Sequence, residues 1–114
     1  MMMTLSPEDD KLITLARSAR ARTGAQDGAA VRDQDGRTYA ASTVVLPSLR
    51  FDALDLAVAM AISSGAKGIE AAALVADKHP EPIVDGTAVR DLSGRGINIY
   101  IADTDGHVVR VGVT

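Results

Sequence analysis

The feature that most constrains the fold is an unbroken apolar run, LAVAMAI, at residues 56–62. Asp52 and Asp55 precede this run, and a Ser-Ser-Gly sequence follows it. The alternation of large and small side chains also fits a strand, but the alanine content and an aspartate at the helix start favour a helix. A helix that is apolar on every side is expected to be buried on every side. We therefore expect it to lie between a sheet and other helices, or between subunits.

Length and composition limit the remaining possibilities. The chain has 114 residues, which predicts a single domain over residues 1–114. It has no cysteine, which excludes disulfides, thiolate nucleophiles and Cys-ligated zinc. The net charge of −3 gives no attraction for nucleic acid or an anionic membrane, so we expect neither as a partner. No apolar run approaches the roughly 18 residues of a membrane span, and the first residues do not resemble a signal peptide, so the cytoplasm is the expected location.

The first helix has a clear start signal and a clear end signal. Ser6 can cap a helix whose first residue is Pro7, and the helix is expected to run to about Arg22 and to stop at Gly24. Its basic residues, Arg17, Arg20 and Arg22, follow acids at positions 8–10. We interpret them as a solvated helix face rather than an RNA-binding patch.

The rest of the chain alternates between strands and helices. Residues 29–31 and 38–45 predict a hairpin around an Asp-Gly turn, and residues 69–76 predict a central strand covered on both faces. A short helix is expected at 86–92, followed by strands at 97–102 and 108–113 whose short connection makes them antiparallel. The order α-β-β-α-β-α-β-β predicts a three-layer α/β fold with a mixed five-stranded sheet and an antiparallel final hairpin.

Several segments in this order resemble one protein family. Gly28-Ala29-Ala30-Val31 and the turn sequence DGRTY at 35–39 are similar to the first strands of the small cytidine deaminases of nucleoside salvage. The run at 57–65 resembles the apolar helix that follows that family's Cys-Ala-Glu signature, ALVAD at 73–77 resembles its third strand, and VDGTA at 84–88 stands where the family has Pro-Cys-Gly-x-Cys. The resemblance implies a cytidine deaminase-like fold and assembly into dimers or tetramers.

The resemblance also implies a zinc site, and the residues that would form it have changed. In zinc deaminases, Cys and His ligands hold the metal and a glutamate transfers protons. The position of the first ligand is occupied by Asp52, that of the glutamate by Leu54, and those of the paired cysteines by Asp85 and Ala88. Leucine cannot transfer a proton, and the two aspartates fall short of the roughly three protein ligands of a catalytic zinc. We therefore expect no zinc and no catalytic residue.

Other polar positions have a structural interpretation. The family's ribose-binding Asn and Glu match Thr43 and Val45, although the shortened loop at 46–51 leaves the register open. Asp52 and Asp85 are expected to cap helices while Leu54 fills the former site, the alternative being a weak cation site.

Neither histidine is expected to rescue a metal site. His79 and His107 are expected at the surface, since the first lies in a Pro-rich turn and the second begins a strand. The sequence DTDG at 103–106 predicts a turn rather than a calcium loop, because it lacks the rest of the twelve-residue calcium-binding pattern.

These observations leave three hypotheses on function. The leading one is a non-catalytic cytidine deaminase-like protein, a pseudoenzyme that forms a homo-oligomer or supports a partner. The second is a module that binds a nucleoside or base as a small-molecule ligand without turnover. The third is an enzyme, either a residual cytidine deaminase or one with different chemistry that uses Arg50, Asp52 and Asp85.

Overall fold

A computed structural model describes residues 5–77 and 86–114 of the protein. Within these ranges helices and strands alternate as the sequence predicts, with one additional hairpin. The helices are α1 (Pro7–Thr23), α2 (Ala53–Ser63) and α3 (Thr87–Ser93). The strands are β1 (Asp27–Asp33), β2 (Thr38–Ser42), β3 (Val44–Leu46), β4 (Leu49–Phe51), β5 (Ile69–Ala76), β6 (Asn98–Ala102) and β7 (Val108–Val113).

The main sheet has five strands in the order β2-β1-β5-β6-β7. β1 is antiparallel to both β2 and β5, β5 is parallel to β6, and β6 is antiparallel to β7. This confirms the predicted mixed sheet and its antiparallel final hairpin. The predicted strands at 69–76 and 108–113 have the observed bounds.

Two hydrophobic cores lie on opposite faces of this sheet. One contains buried residues of α2 and α3, and the other contains the buried face of α1. Alternate residues of β5 enter different cores: Leu74 packs with the α2 core, whereas Ala73 and Val75 pack with the α1 core. A strand covered on both faces needs apolar residues on both, which accounts for the nearly continuous apolar sequence of β5.

Helix α1 begins and ends as its sequence signals predict. The Ser6 hydroxyl oxygen accepts a hydrogen bond of 3.1 Å from the Asp9 N–H, and Gly24 ends the helix with a φ of 68°. The helix lies so close to β1 that a Cβ at Gly28 would overlap the carbonyl oxygen of Ala16. This close approach places Arg20 of α1 beside the beginning of β1, where its Nε donates to the carbonyl oxygen of Gln26 at 3.1 Å.

The predicted strand at 38–45 is too long. The segment at 46–51, which was predicted as a loop, contains strand residues in the structure. β2 ends at Ser42, and Thr43 makes the last backbone contact with β1 through its N–H to the Asp27 carbonyl oxygen, at 3.1 Å. The chain then forms a separate two-stranded hairpin of β3 and β4. We call residues 44–51 the arm.

Helix α2 is apolar as predicted, but it is not buried on every side. Its buried residues include Leu54, Ala57 and Val58, whereas Met60 and Ile62 are 38% and 52% exposed. The expectation of burial all round is therefore wrong for the single chain, and the alternative of burial between subunits remains. None of the helices in the described ranges is long and apolar enough to cross a membrane.

Candidate functional site

The candidate site lies where the arm, α2 and the beginning of β1 meet. Val44 and Phe51 form the first residue pair of the arm, so the residues next to them, Thr43 and Asp52, flank its base. Thr43 in turn contacts β1, since its hydroxyl oxygen accepts a hydrogen bond of 3.1 Å from the Asp27 N–H. The base of the arm thus brings Asp27, Thr43 and Asp52 together.

The other predicted site residues are distributed differently. Leu54 in the first turn of α2 and Ala88 in α3 belong to, or pack against, one hydrophobic core. Val45 lies on the arm and is 66% exposed, so it is not part of the same site. Asp85 and His79 lie outside the described residues, and the prediction that Asp85 caps α3 falls there as well.

Asp52 occupies the predicted N-cap position of α2, but its side chain does not cap the helix. Its backbone is extended, with φ of −66° and ψ of 147°, and its carbonyl oxygen accepts a hydrogen bond of 3.0 Å from the Leu56 N–H. The side chain accepts no cap hydrogen bond and is exposed. The prediction of a capping side chain is therefore wrong, and the carboxylate faces outward with a charge that no helix N–H neutralises.

Asp27 was not singled out by sequence reasoning, although it shapes the electrostatics of the site. Burial raises the pKa of the Asp27 carboxyl, the negative charge of Asp52 raises it further, and Arg20 opposes both effects. The sequence signal was a charged residue directly before the apolar strand that begins at Gly28. The partner that makes this residue informative is distant in sequence.

Leu54 stands where the resemblance implies a proton-transferring glutamate, and it is part of the core. Its side chain is 3% exposed and packs in the cluster that includes Ala57, Val58 and Val89. Deeper in the site, therefore, the protein presents hydrocarbon, and no group at this position exchanges protons.

The donor groups described at this site do not fit the zinc ion that the resemblance implies. Zinc in proteins is bound by thiolate, imidazole and carboxylate groups, and catalytic sites use three protein ligands. The chain has no cysteine, Ala88 has no donor atom, and among residues 5–77 and 86–114 no set of three potential ligands occurs here. Asp27 and Asp52 offer carboxylate oxygens alone.

The set of three potential ligands that the described residues do contain lies in the β6–β7 turn. Asp103, Asp105 and His107 have ligand atoms within 4.8 Å of one another. However, Asp103 Oδ1 already accepts hydrogen bonds of 3.0 Å from the N–H groups of both Asp105 and His107. The hydrogen bond from the His107 N–H lowers the pKa of Asp103, and burial raises it. The hydrogen bond from the Asp105 N–H lowers it again, so that the pKa of Asp103 lies below its usual value. The geometry is that of the predicted turn, and the exposed position of His107 is as predicted.

Comparisons with known proteins identify what this arrangement resembles. A family model described as cytidine deaminase-like matches residues 5–106. The chain is similar in structure to cytidine deaminase from Burkholderia pseudomallei, with 22% identity, coverage of 96% of this chain and 93% of that one, and a TM-score of 0.77. For cytidine deaminase from Mycobacterium leprae the identity is 20%, the coverage 91% of both chains and the TM-score 0.67.

A mutant cytidine deaminase from Mycobacterium tuberculosis is also similar. It is 24% identical, covers 91% of this chain and 88% of its own length, and has a TM-score of 0.69. A search of curated proteins found no match. At these identities the structural matches show a shared fold, which agrees with the fold inferred from the sequence.

Proposed function

Because the chain belongs to the cytidine deaminase-like family, we propose that it is a non-catalytic member that self-associates or supports a partner instead of deaminating cytidine. The observation that carries this proposal is the burial of Leu54, 3% exposed, in the core at the position of the family's glutamate. Hydrolytic deamination needs a group that moves protons between water and the ring. A buried leucine supplies none, and the described donor set does not fit zinc.

The change at Leu54 is accompanied by changes in the surrounding polar residues. By the resemblance, the family's ribose-binding positions correspond to Thr43 and Val45. The Thr43 hydroxyl oxygen accepts a hydrogen bond from the first residue of β1, and Val45 lies on the exposed arm. Ala88 replaces a ligand with a methyl group that packs on the core. Loss of the metal ligands, the proton carrier and the sugar contacts together supports a protein that uses the fold for another purpose.

Exposed apolar side chains support self-association. Met60 and Ile62 of α2 are 38% and 52% exposed, and the arm exposes further apolar residues. Exposed patches of large apolar side chains are typical of protein interfaces. The proposal is therefore a homo-oligomer, a dimer or a tetramer, that acts in the cytoplasm without zinc.

The test compares turnover, metal content and ligand binding on one preparation. Protein purified without chelators is analysed for zinc by mass spectrometry and assayed for uridine formation, with the Burkholderia pseudomallei enzyme as positive control. We expect less than stoichiometric zinc, no uridine, and an assembly larger than a monomer by light scattering. Stoichiometric zinc with uridine formation would overturn the proposal, and a thermal shift with a nucleoside alone would favour a binding module.

A further inference from the structure

Helix α3 is the least embedded of the three helices in the described part of the chain. It has 7 residues, and Val89 is the one that is buried, whereas α1 buries four residues and α2 buries five. Its N-cap position, Gly86, makes no side-chain cap hydrogen bond. A helix this short is not stable alone in water. The conformation of α3 therefore depends on how it is attached to the rest of the protein.

The beginning and the centre of α3 are attached by apolar packing. Val89 has no exposed surface and belongs to the same core as Leu54 of α2 and Ile99 of β6. Gly86 lies directly on β6, since a Cβ added there would be 2.6 Å from Ile99 Cδ1. Separating an apolar contact breaks no hydrogen bond, and its cost follows the area exposed, which for one fully buried side chain is small.

The end of α3 is attached by two hydroxyl groups, which we call the latch. The Ser93 hydroxyl oxygen accepts a hydrogen bond from the Ile69 N–H of β5. The Thr114 hydroxyl donates to the Gly94 carbonyl oxygen at 2.8 Å and accepts from the Ile97 N–H at 3.0 Å. The latch thus holds the residues that end α3 and connect it to β6.

The connection from α3 to β6 contains two glycines with positive φ. Gly94 has φ of 74° and ψ of −155°, and Gly96 has φ of 92°. Glycine reaches positive and negative φ with similar ease, so these two positions can absorb a rotation of the helix that precedes them. A short helix with one buried side chain is therefore joined to the sheet through a latch and two permissive backbone positions.

We propose that α3 is a lid on the core that contains α2, opening as a unit about Gly94 and Gly96 and kept closed by the Ser93 and Thr114 hydroxyl groups. Opening withdraws Val89 and exposes the apolar surface around Leu54, in the interior of the candidate site. The five-stranded sheet stays intact, because α3 contributes no strand to it. The lid thereby controls whether solutes reach this apolar surface, and it does so whether or not the protein assembles.

Thiol labelling tests the opening directly, because the chain has no cysteine of its own. Val89→Cys places a thiol under the lid, and Val58→Cys is the matched control, since Val58 is 2% exposed in the same core but lies on α2. With an aromatic disulfide reagent, Val89→Cys should react on the order of a hundredfold faster, because local opening is easier than global unfolding. Its rate should also rise less steeply with urea, since less surface is exposed. Equal rates with equal urea dependence would overturn the lid.

Removing part of the latch tests what keeps the lid closed. Thr114→Val in the Val89→Cys background should accelerate labelling on the order of tenfold, because two hydrogen bonds are lost. Thr104→Val, in the β6–β7 turn, removes a hydroxyl elsewhere and should leave the rate unchanged. An unchanged rate in Thr114→Val would show that this hydroxyl is not a latch. Equal acceleration of Val58→Cys labelling would show general destabilisation instead of lid opening, and would also overturn the proposal.

Amide hydrogen exchange of the unmodified protein provides a second measurement that needs no cysteine variant to fold. The Arg90 N–H donates to the Gly86 carbonyl oxygen at 3.0 Å, and the Gly94 N–H donates to the Arg90 carbonyl oxygen at 2.7 Å. Both amides should exchange through one shared opening that depends little on denaturant, well before the Leu74 amide of β5. Exchange of these amides together with Leu74 would mean that α3 opens only when the whole protein unfolds, and the lid would be wrong. Zinc content and uridine formation do not enter these readouts, so the lid and the proposed function can fail independently.

Discussion

The hydroxyl group of Tyr100 on β6 donates a hydrogen bond of 2.7 Å to the carboxylate of Asp9 in the first turn of α1. Arg32 of β1 lies 3.0 Å from the other carboxylate oxygen of Asp9 and also 3.0 Å from Glu70 of β5. The beginning of α1 is therefore connected to three neighbouring strands by polar contacts at the edge of a core made largely of small side chains. Both the helix and the sheet order are required for these residues to meet.

Replacing Tyr100 by phenylalanine should lower the free energy of unfolding by about 1 kcal/mol at neutral pH, because Asp9 loses a buried donor. Burial, and then the hydrogen bond to Asp9, raise the pKa of Tyr100. A raised pKa means that this stabilisation is fully present below the unfolded value of about 10 and is lost as the pH rises through the folded value. Denaturant unfolding between neutral pH and pH 11 should therefore show a steeper alkaline loss in the unmodified protein than in Tyr100→Phe.

Tyr39 provides the control for this measurement. Burial and its hydrogen bond to Asp33 raise the pKa of Tyr39 as well. Ultraviolet titration of Tyr100→Phe should consequently retain one late-titrating phenol. A Tyr100 that titrates at the ordinary value in the Tyr39→Phe variant would contradict the hydrogen bond to Asp9.

Replacing Asp52 by asparagine should lower the pKa of Asp27 toward its ordinary value, because a nearby negative charge is removed. Burial remains, so the pKa of Asp27 should stay somewhat above the ordinary value. The measurement is a carboxyl-carbon NMR titration of Asp27 in the two proteins. Asp35→Asn, in the exposed β1–β2 turn, is the control and should leave Asp27 unchanged.

The sign of the stability change follows from the direction of the same shift. An aspartate with a raised folded pKa destabilises the fold when it is ionised, and the penalty disappears below the unfolded pKa of about 3.9. Asp27→Asn should therefore be more stable than the unmodified protein at pH 7 and no more stable near pH 3. An equal gain at both pH values would show that the effect is not electrostatic.

Replacing Gly28 by alanine should destabilise the protein by about 3 kcal/mol, at the upper end of the usual cost of overpacking. The new methyl group would overlap the Ala16 carbonyl oxygen, and its carbon atom would lie 2.9 Å from the backbone N of Arg20. Because the obstacle is backbone, α1 would have to move away from β1. Gly68→Ala is the matched control, since its Cβ would meet only the Ser93 hydroxyl oxygen, at 3.5 Å. Thermal unfolding of the two variants should differ widely, and similar melting temperatures would contradict the close packing.

Replacing Leu54 by alanine should lower the free energy of unfolding by about 3 kcal/mol, because a buried side chain is lost and a cavity is left. Leu54→Glu should cost at least as much, since it buries an unpaired carboxylate. It should not produce uridine from cytidine. Leu56→Ala, on the same helix at a half-buried position, should cost clearly less by chemical denaturation. A Leu54→Glu variant as stable as its parent would show that the site retains room for a polar group.

The elements that sequence analysis placed correctly are those whose signals are local. The Ser6 cap, the Gly24 stop and the apolar strand at 69–76 each depend on residues within a few positions of one another. The family resemblance was equally accessible, because it follows the order of strand, turn and helix sequences. The fold could therefore be predicted almost completely.

The arm and the proximity of Asp27 to Asp52 depend on long-range pairing, which explains why they were missed. Whether Val44 and Val45 continue β2 depends on where β1 begins, and β1 begins at Asp27. The same fact places Asp27 beside Asp52, and no local pattern connects those two residues. The cap predicted for Asp52 was wrong for a related reason: the sequence identifies the N-cap position, but the side-chain orientation is decided by neighbours that come from other parts of the chain.

The main sheet, with a separate core on each face, divides the molecule into two packing compartments. Leu74 and Val75 are adjacent in sequence but belong to different compartments, whereas Val75 and Leu12 share one. Energetic coupling follows shared contacts rather than sequence distance. Substitutions at Leu74 and Val75 should thus combine nearly additively, whereas those at Val75 and Leu12 should not. Change can therefore accumulate around α2, beside the candidate site, without being transmitted to the compartment that holds α1 against the sheet.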